Sequence, residues 1–270
     1  MKKYLFPICI LSIALISGCS APAPATPDKA LDTYFKDIAA GDYTTAYSLL
    51  CKADQKLITS DEFVQWQTLA KKTDEVKTAS LTPEKETKDF KDSSGNTYTR
   101  AELIKVKETD FSHSKNKEAV YEYERQMVWE DNAWKLARLE SKDAYQHRFY
   151  AAYVDLGNQY KTGSGQVKDY AKSVEMFQSA LKYKPDSSEL CFQIALGYLN
   201  LQKPVDSEKW ARQGISKTKD STALSELQNL LGVTLQMQGK NSESRAAFKE
   251  AVRLNPKNQN AVDNLNLSNP

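Results

Sequence analysis

The chain has 270 residues, 27% of them charged and 40% hydrophobic, which is the composition of a soluble protein with room for one or two domains. Its mean hydropathy of −0.61 excludes a protein that crosses the membrane many times. Beyond residue 18 the chain carries 35 basic and 35 acidic side chains, so it has no overall positive charge for binding nucleic acid. Two histidines and four cysteines argue against a multi-ligand metal site.

The N-terminus has the pattern of an export signal. Two lysines precede an apolar run from Tyr4 to Ile16, which is too short to span a bilayer. The run leads into Ile-Ser-Gly-Cys, ending at Cys19, and this quartet resembles the lipobox of bacterial lipoproteins. The resemblance implies that residues 1–18 are removed as a signal peptide and that Cys19 carries lipid. Two or more acyl chains anchor a protein stably to a membrane.

Residues 19–27 form a tether in which alanine alternates with proline, a sequence that cannot form a helix and favours an extended chain. Ser20, rather than aspartate, follows the lipobox cysteine. In Gram-negative lipoproteins this resembles the class sorted to the outer membrane, facing the periplasm. In a Gram-positive cell the same anchor would hold the protein on the outer face of the plasma membrane. The sequence leaves the cell type open.

Cys51 and Cys191 remain once the signal peptide is removed and Cys19 is lipidated. A compartment outside the cytoplasm permits a disulfide between them, but the sequence does not establish one. Both cysteines lie within apolar helical patterns. We therefore interpret them as two buried free thiols.

Residues 28–140 are predicted to form an α+β domain. Apolar residues recur at helical spacing from Ala30 to Ile38, a second helix follows Gly41, and a third begins at Ser60. From about Val76 the period changes to two, which predicts antiparallel strands. The predicted strands are Ala101–Val106, Ala119–Trp129 and Ala133–Leu139, with turns at 93–96 and 131–132.

This order of elements, with Gly41-Asp42-Tyr43 and the closing Trp134-Lys135-Leu136, resembles the nuclear transport factor 2-like fold of small lipoproteins. The resemblance implies helices packed on a curved antiparallel sheet that encloses a cone-shaped cavity. Some members use the cavity as an active site or ligand pocket, and others use the domain as a scaffold. The sequence alone identifies no inward acid–base pair, so catalysis is not predicted. The residues expected to line a cone are Tyr34, Tyr47, Trp66, Tyr121 and Tyr123.

Residues 145–270 lack strand patterns and repeat small and aromatic residues at long intervals. Phe177 to Ala211 spans 34 residues, and Ala211 to Phe248 spans 37. With small residues at 157, 195 and 232 for close helix crossing, this spacing resembles three tetratricopeptide repeats. The resemblance implies an all-α solenoid with a capping helix over residues 257–267. The Gly-Ser-Gly sequence at 163–165 predicts a flexible turn between repeat helices, not a phosphate-binding loop.

In tetratricopeptide arrays the first helix of each repeat lines a concave groove. By register, the groove positions are Val154, Asn158, Lys161, Phe192, Leu196, Asn200, Asn229, Val233 and Gln236. These positions mix apolar residues with amides and lack the regular Lys/Asn/Arg set that clamps the terminal carboxylate of a peptide. Such a groove suits an amphipathic helix or an extended peptide. The alternative is that the capping helix or the neighbouring domain fills the groove.

Together these patterns predict a non-enzymatic, lipid-anchored interaction or scaffold protein of the bacterial cell envelope, which binds an envelope protein or peptide through the groove. No cofactor, metal or nucleic acid is expected. The first alternative is a cone that binds a small molecule or, less readily, catalyses a reaction, with the repeats for localisation. A pocket with convergent polar groups would favour that alternative, and a fully packed interior would exclude it. The second alternative is a purely structural envelope protein.

Overall fold

A computed structural model describes residues 26–138 and 141–268. The N-terminal domain begins with four helices, namely α1 (Pro27–Ala40), α2 (Tyr43–Ser48), α3 (Lys52–Gln55) and α4 (Ser60–Thr73). Gly41 ends α1 with a φ of 82°, a left-handed conformation that glycine adopts without strain. Thr59 and Glu62 form a capping box at the start of α4. Three of these helices are predicted from sequence, and α3 is an additional short helix.

The predicted signal peptide and Cys19 lie outside the described residues. Of the predicted tether, residues 19–27, only Thr26 and Pro27 are described, and Pro27 is the first residue of α1. Proline fits the first turn of a helix because the backbone N–H that it lacks has no intrahelical partner there. Helix α1 therefore includes the last residue of the predicted tether.

Four strands form one antiparallel sheet in chain order, namely β1 (Asp74–Lys91), β2 (Thr97–Ser112), β3 (Lys117–Glu130) and β4 (Ala133–Ala137). Both predicted turns are confirmed. Asp131 and Asn132 join β3 to β4 with φ values of 50° and 59°, as a two-residue hairpin requires. Gly95, with a φ of 88°, lies in the turn between β1 and β2.

Most of one face of this sheet packs against the helices, and at one end Ala101 and Val128 on the opposite face are buried beside Cys51. Ile104 and Val106 of β2 are at most 2% exposed and belong to the same core as Leu31 of α1. The opposite face carries charged side chains, and Lys107 and Glu122 form an ion pair of 3.0 Å across β2 and β3. From Ile104 onward, alternation along β2 thus gives the sheet a helix-facing inner face and a solvent-facing outer face.

Within the described residues, seven further helices form three pairs and a final single helix. They are α5 (Lys142–Thr162), α6 (Tyr170–Leu181), α7 (Ser188–Asn200), α8 (Pro204–Ser216), α9 (Ser221–Met237), α10 (Asn241–Leu254) and α11 (Gln259–Leu267). Helix α11 is the predicted capping helix, beginning at Gln259. Helix α5 begins at Lys142, three residues before the predicted start of the repeat region at 145.

The two helices of a repeat cross closely where small residues lie. A Cβ atom on Gly157 would lie 2.7 Å from Cε1 of Phe177, and one on Gly232 would lie 2.5 Å from Cδ1 of Phe248. Ala195 is the small residue of the second repeat and is fully buried. The predicted close crossing is therefore confirmed, because the two aromatic rings occupy the space that a larger residue would need.

The two domains share one hydrophobic core. Trp66 of α4 and Tyr145 of α5 meet edge to face, with ring centroids 6.2 Å apart. Gln65 also donates a hydrogen bond of 2.8 Å from Nε2 to the hydroxyl of Tyr153. Helices α4 and α5 therefore form the main contact between the domains.

The turn between α5 and α6 forms a second contact between the domains. Gly165, with a φ of 80°, comes so close to His113 that a Cβ atom would lie 2.7 Å from the His113 carbonyl carbon. Ser164 donates a hydrogen bond from its hydroxyl to the carbonyl oxygen of Ser114. The turn that the sequence predicts to be flexible instead packs on the β2–β3 turn.

Both cysteines of the described residues are buried and unpaired, which confirms the interpretation as free thiols. The Cys51 thiol donates a hydrogen bond of 3.2 Å to Oδ2 of Asp54. Burial, followed by the charge of Asp54, raises the pKa of Cys51 to about 12. Cys51 is therefore a protonated, unreactive thiol at neutral pH.

Candidate functional site

The first candidate site is the groove along α5, α7 and α9, the first helices of the three pairs. Seven of the nine predicted groove residues are half-buried, while Asn200 and Gln236 are exposed. Neighbouring groove helices contact each other, since Lys161 donates a hydrogen bond of 2.9 Å from Nζ to Oε1 of Gln193. Asn200 donates to the carbonyl oxygen of Leu196, one turn earlier in its own helix, at 2.8 Å.

Part of the predicted groove lining is occupied within the protein. Phe192 and Leu196 pack against the buried cluster formed by the second and third repeats, and Val154 packs against the core shared with the N-terminal domain. Asn264 of α11 donates a hydrogen bond of 2.9 Å from Nδ2 to Oδ1 of Asn229. The capping helix therefore reaches one end of the groove. The apolar positions are only partly available to a partner because they also join the repeats.

Two carboxylates lie on the groove helices at positions that the predicted groove lining does not include. Glu189 of α7 and Glu226 of α9 are exposed, each lying six residues before the small residue of its repeat. Although Glu226 is largely exposed, partial burial at the groove, followed by the charges of Glu189 and Asp220, raises its pKa. Among the described residues, neither glutamate forms an ion pair. The tetratricopeptide register itself could have identified them, because it places both on first helices.

The second candidate site is a cavity of about 290 Å³ between α1, α4 and the inner face of the sheet. Three of the five residues predicted to line a cone lie in its wall, namely Tyr34, Trp66 and Tyr123. The other two lie elsewhere. Tyr47 donates a hydrogen bond of 3.0 Å to the carbonyl oxygen of Ile58, and Tyr121 is 49% exposed beyond the cavity.

Two carboxylates lie side by side in this cavity. Glu108 and Asp110 are two residues apart on β2 and share its inner face, and Glu108 is only 8% exposed. The Tyr123 hydroxyl donates a hydrogen bond to Oε2 of Glu108. Burial, followed by the hydrogen bond and charge of Glu108, raises the pKa of Asp110 to about 7. Burial and the same glutamate raise the pKa of Tyr123, which keeps its proton at neutral pH.

Arginines from both domains line the opposite part of the cavity wall. The guanidinium carbons of Arg138 and Arg148 lie 4.9 and 5.3 Å from the ring centroid of Trp66. Nη1 of Arg138 donates a hydrogen bond of 3.2 Å to the Tyr34 hydroxyl. Arg148 belongs to α5, so the first repeat helix completes a cavity of the N-terminal domain. The cavity lining therefore contains charges of both signs.

No group of three or more histidine, cysteine, aspartate or glutamate side chains within residues 26–138 and 141–268 is arranged to hold a metal ion. In the same part of the chain, no helix combines the length and the apolar character that crossing a membrane demands.

Comparison with known families gives one match, the tetratricopeptide repeat, over residues 225–258. This range covers most of α9 and all of α10. The C-terminal part of the chain therefore contains a tetratricopeptide repeat. No curated protein matches the chain.

Several solved tetratricopeptide domains resemble the chain, and each of the three described here covers less than half of it. The second such domain of human RPAP3, solved with an HSP70 peptide, is 25% identical, covers 46% of this chain and 97% of its own, and has a TM-score of 0.40. The Arabidopsis OM64 domain is 18% identical. The match covers 46% of this chain and 96% of the OM64 chain, with a TM-score of 0.41. The Sgt2 domain of Aspergillus fumigatus is 13% identical. The match covers 44% of this chain and 76% of the Sgt2 chain, with a TM-score of 0.40. At these TM-scores, the assignment rests on the family match alone.

Proposed function

We propose that this protein is a lipid-anchored, non-enzymatic interaction protein of the bacterial cell envelope that binds a partner protein along the repeat groove. The observation that carries the proposal is the tetratricopeptide match over residues 225–258, within an array of three helix pairs. The lipobox-like quartet ending at Cys19 supports the anchor and the location. In this proposal, the N-terminal domain has a nuclear transport factor 2-like fold and supports the repeats, with which it shares a core.

The charge of the groove indicates the chemistry of the partner. Glu189 and Glu226 lie on neighbouring groove helices, and burial and mutual repulsion raise the pKa of Glu226. A lysine or arginine of the partner would relieve this repulsion. Val233 is half-buried and offers an apolar contact nearby. The partner segment that fits best therefore has basic residues beside an apolar face.

The anchor predicts a covalent lipid on one residue. Growing cells with an alkyne-tagged fatty acid should label the wild-type protein, and Cys19→Ser should abolish the label because the thiol is the acceptor. Ser20→Ala is the matched control and should stay labelled, since it keeps the cysteine. Mass spectrometry of the N-terminal peptide measures the modification. Equal labelling of Cys19→Ser and wild type would disprove the anchor.

The groove predicts a recurrent neighbour in cells. A photoreactive residue at Val233 should crosslink to one envelope protein, identified by mass spectrometry, because this position faces the groove. The matched control is the same residue at Val205 of α8, which is 70% exposed on a second helix of a repeat. It should not crosslink to that protein.

Glu226→Lys should weaken the crosslink from position 233 at least ~5-fold, since it places a positive charge where the partner's basic residue would lie. Crosslinks from position 233 that reach only residues 28–140 or 257–268 would show that the protein fills its own groove. That result would contradict partner binding at this site and leave the cavity as the candidate.

A further inference from the structure

The cavity of the N-terminal domain contains a carboxylate oxygen that has no hydrogen-bond donor. Oδ1 of Asp110 is buried, and none of the described residues donates to it. Glu108, beside it on β2, accepts a hydrogen bond from Tyr123. Among the described residues, no lysine or arginine forms an ion pair with either carboxylate. The pair therefore has acceptor capacity and negative charge that the protein itself does not fully satisfy.

A ligand that satisfies this pair must bring N–H donors and a positive charge. A neutral hydroxyl or a water molecule can donate to Oδ1 of Asp110, but neither compensates the charge shared with Glu108. An ammonium group does both, through charge-assisted hydrogen bonds. The pKa of Asp110, raised to about 7 by burial and by Glu108, reflects the same uncompensated charge.

The walls of the cavity suit a small apolar body attached to that ammonium group. Aromatic side chains line it, among them Phe35 and Tyr43. Ile38 and Val76 add aliphatic surface. The volume of about 290 Å³ is at the lower end for ligand pockets, so the ligand is small.

The apolar part of the wall limits the charge of the ligand. The tail of a ligand held on the carboxylates would lie against Ile38 and Val76. A second charge buried there without a partner would cost free energy. A ligand with one ammonium group and an uncharged tail therefore fits better than a diamine.

We propose that the cavity binds a small primary amine, with its ammonium group on Glu108 and Asp110 and its apolar tail against Ile38, Val76 and the aromatic wall. This site is separate from the groove, so the proposal does not depend on partner binding by the repeats. Because Arg148 of α5 lines the same cavity, the bound amine lies within reach of the first repeat helix.

The test uses four probes of matched length and different charge, namely n-pentylamine, 1-pentanol, valerate and cadaverine. Isothermal titration of each into the full-length protein in detergent measures its affinity. We expect n-pentylamine to bind at least ~10-fold more tightly than 1-pentanol or valerate, since only the amine offers charge-assisted donors. Cadaverine should bind more weakly than n-pentylamine because its second ammonium group would be buried against the apolar wall. Equal affinity of pentylamine and pentanol, or no binding of pentylamine at millimolar concentration, would overturn the proposal.

A variant pair locates the site. Asp110→Asn should reduce the affinity for n-pentylamine about 10-fold, because it removes the charge of one acceptor. The matched control, Glu122→Gln, removes a carboxylate from the outer face of the same sheet and should leave the affinity unchanged. Equal affinities of the two variants would place the amine elsewhere. The probe series on the wild-type protein tests the ligand class even if Asp110→Asn folds poorly.

Discussion

Gly232→Ala should lower the free energy of unfolding by about 2 kcal/mol. Alanine normally stabilises a helix relative to glycine by about 1 kcal/mol, so a loss of stability requires a clash larger than that gain. The clash is with Phe248, whose ring is fully buried and whose Cδ1 would lie 2.5 Å from the new methyl group. Urea unfolding followed by circular dichroism measures the change.

The control for this prediction makes the facing side chain smaller. In a Phe248→Leu background, Gly232→Ala should be less destabilising than in the wild type, because leucine leaves more room for the methyl group. The two substitutions are then non-additive, as expected for side chains in contact. Stabilisation by Gly232→Ala, or the same loss in both backgrounds, would contradict the close crossing of α9 and α10.

The repeats could be predicted from sequence because each carries its own local pattern. Gly157 and Gly232 recur with Phe177 and Phe248 at the same points of the first and third pairs, and this pairing produces the observed crossing. The hairpin at 131–132 could be predicted for a similar reason, since aspartate and asparagine tolerate the left-handed backbone that the turn requires. Helix α3 could not, because a single turn is too short to show a period.

How the domains pack could not be predicted, because it depends on residues far apart in the chain. The composition of the Gly-Ser-Gly turn at 163–165 favours a flexible turn. The role of this turn depends on Gly165 approaching the His113 backbone, some 50 residues away. Arg148 likewise reaches the cavity only because α5 packs on α4.

The cavity was predictable in part. Tyr34, Trp66 and Tyr123 could be named because a resemblance implied an inward cone. Glu108 and Asp110 continue the alternation of the buried β2 residues, but the predicted strand ended at 106, whereas β2 runs to 112. Polar residues at inward positions interrupt the hydrophobic signal on which strand prediction depends. Hydrophobic alternation therefore does not predict Glu108 and Asp110, the two residues that define the chemistry of the cavity.

Asp110→Asn should stabilise the ligand-free protein by about 1–2 kcal/mol at pH 8 and by less at pH 5, after allowance for solvent screening. Burial, then Glu108 and Asp74, raise the pKa of Asp110 from 3.8 to about 7 in the folded state. A raised carboxyl pKa contributes stability that is fully present below pH 3.8 and is lost as the pH rises through 7. Asparagine stays neutral at every pH. The free energy of unfolding of the variant, relative to that of the wild type, therefore increases as the pH rises.

Urea unfolding at pH 5 and pH 8 measures this difference. Removing Asp110 is expected to increase stability at high pH. Removing a carboxylate that forms an ion pair would have the opposite effect, because such a carboxylate stabilises the folded state at high pH. Glu122→Gln, on the outer face of the sheet, should change stability by less than ~0.5 kcal/mol at either pH. Should Asp110→Asn have equal effects at both pH values, Asp110 would titrate as an ordinary surface carboxylate, and the electrostatic reason for an amine in the cavity would disappear with it. A pH-dependent gain would instead identify Asp110 as a group that folding places at an energetic disadvantage, as expected of a residue held for a ligand.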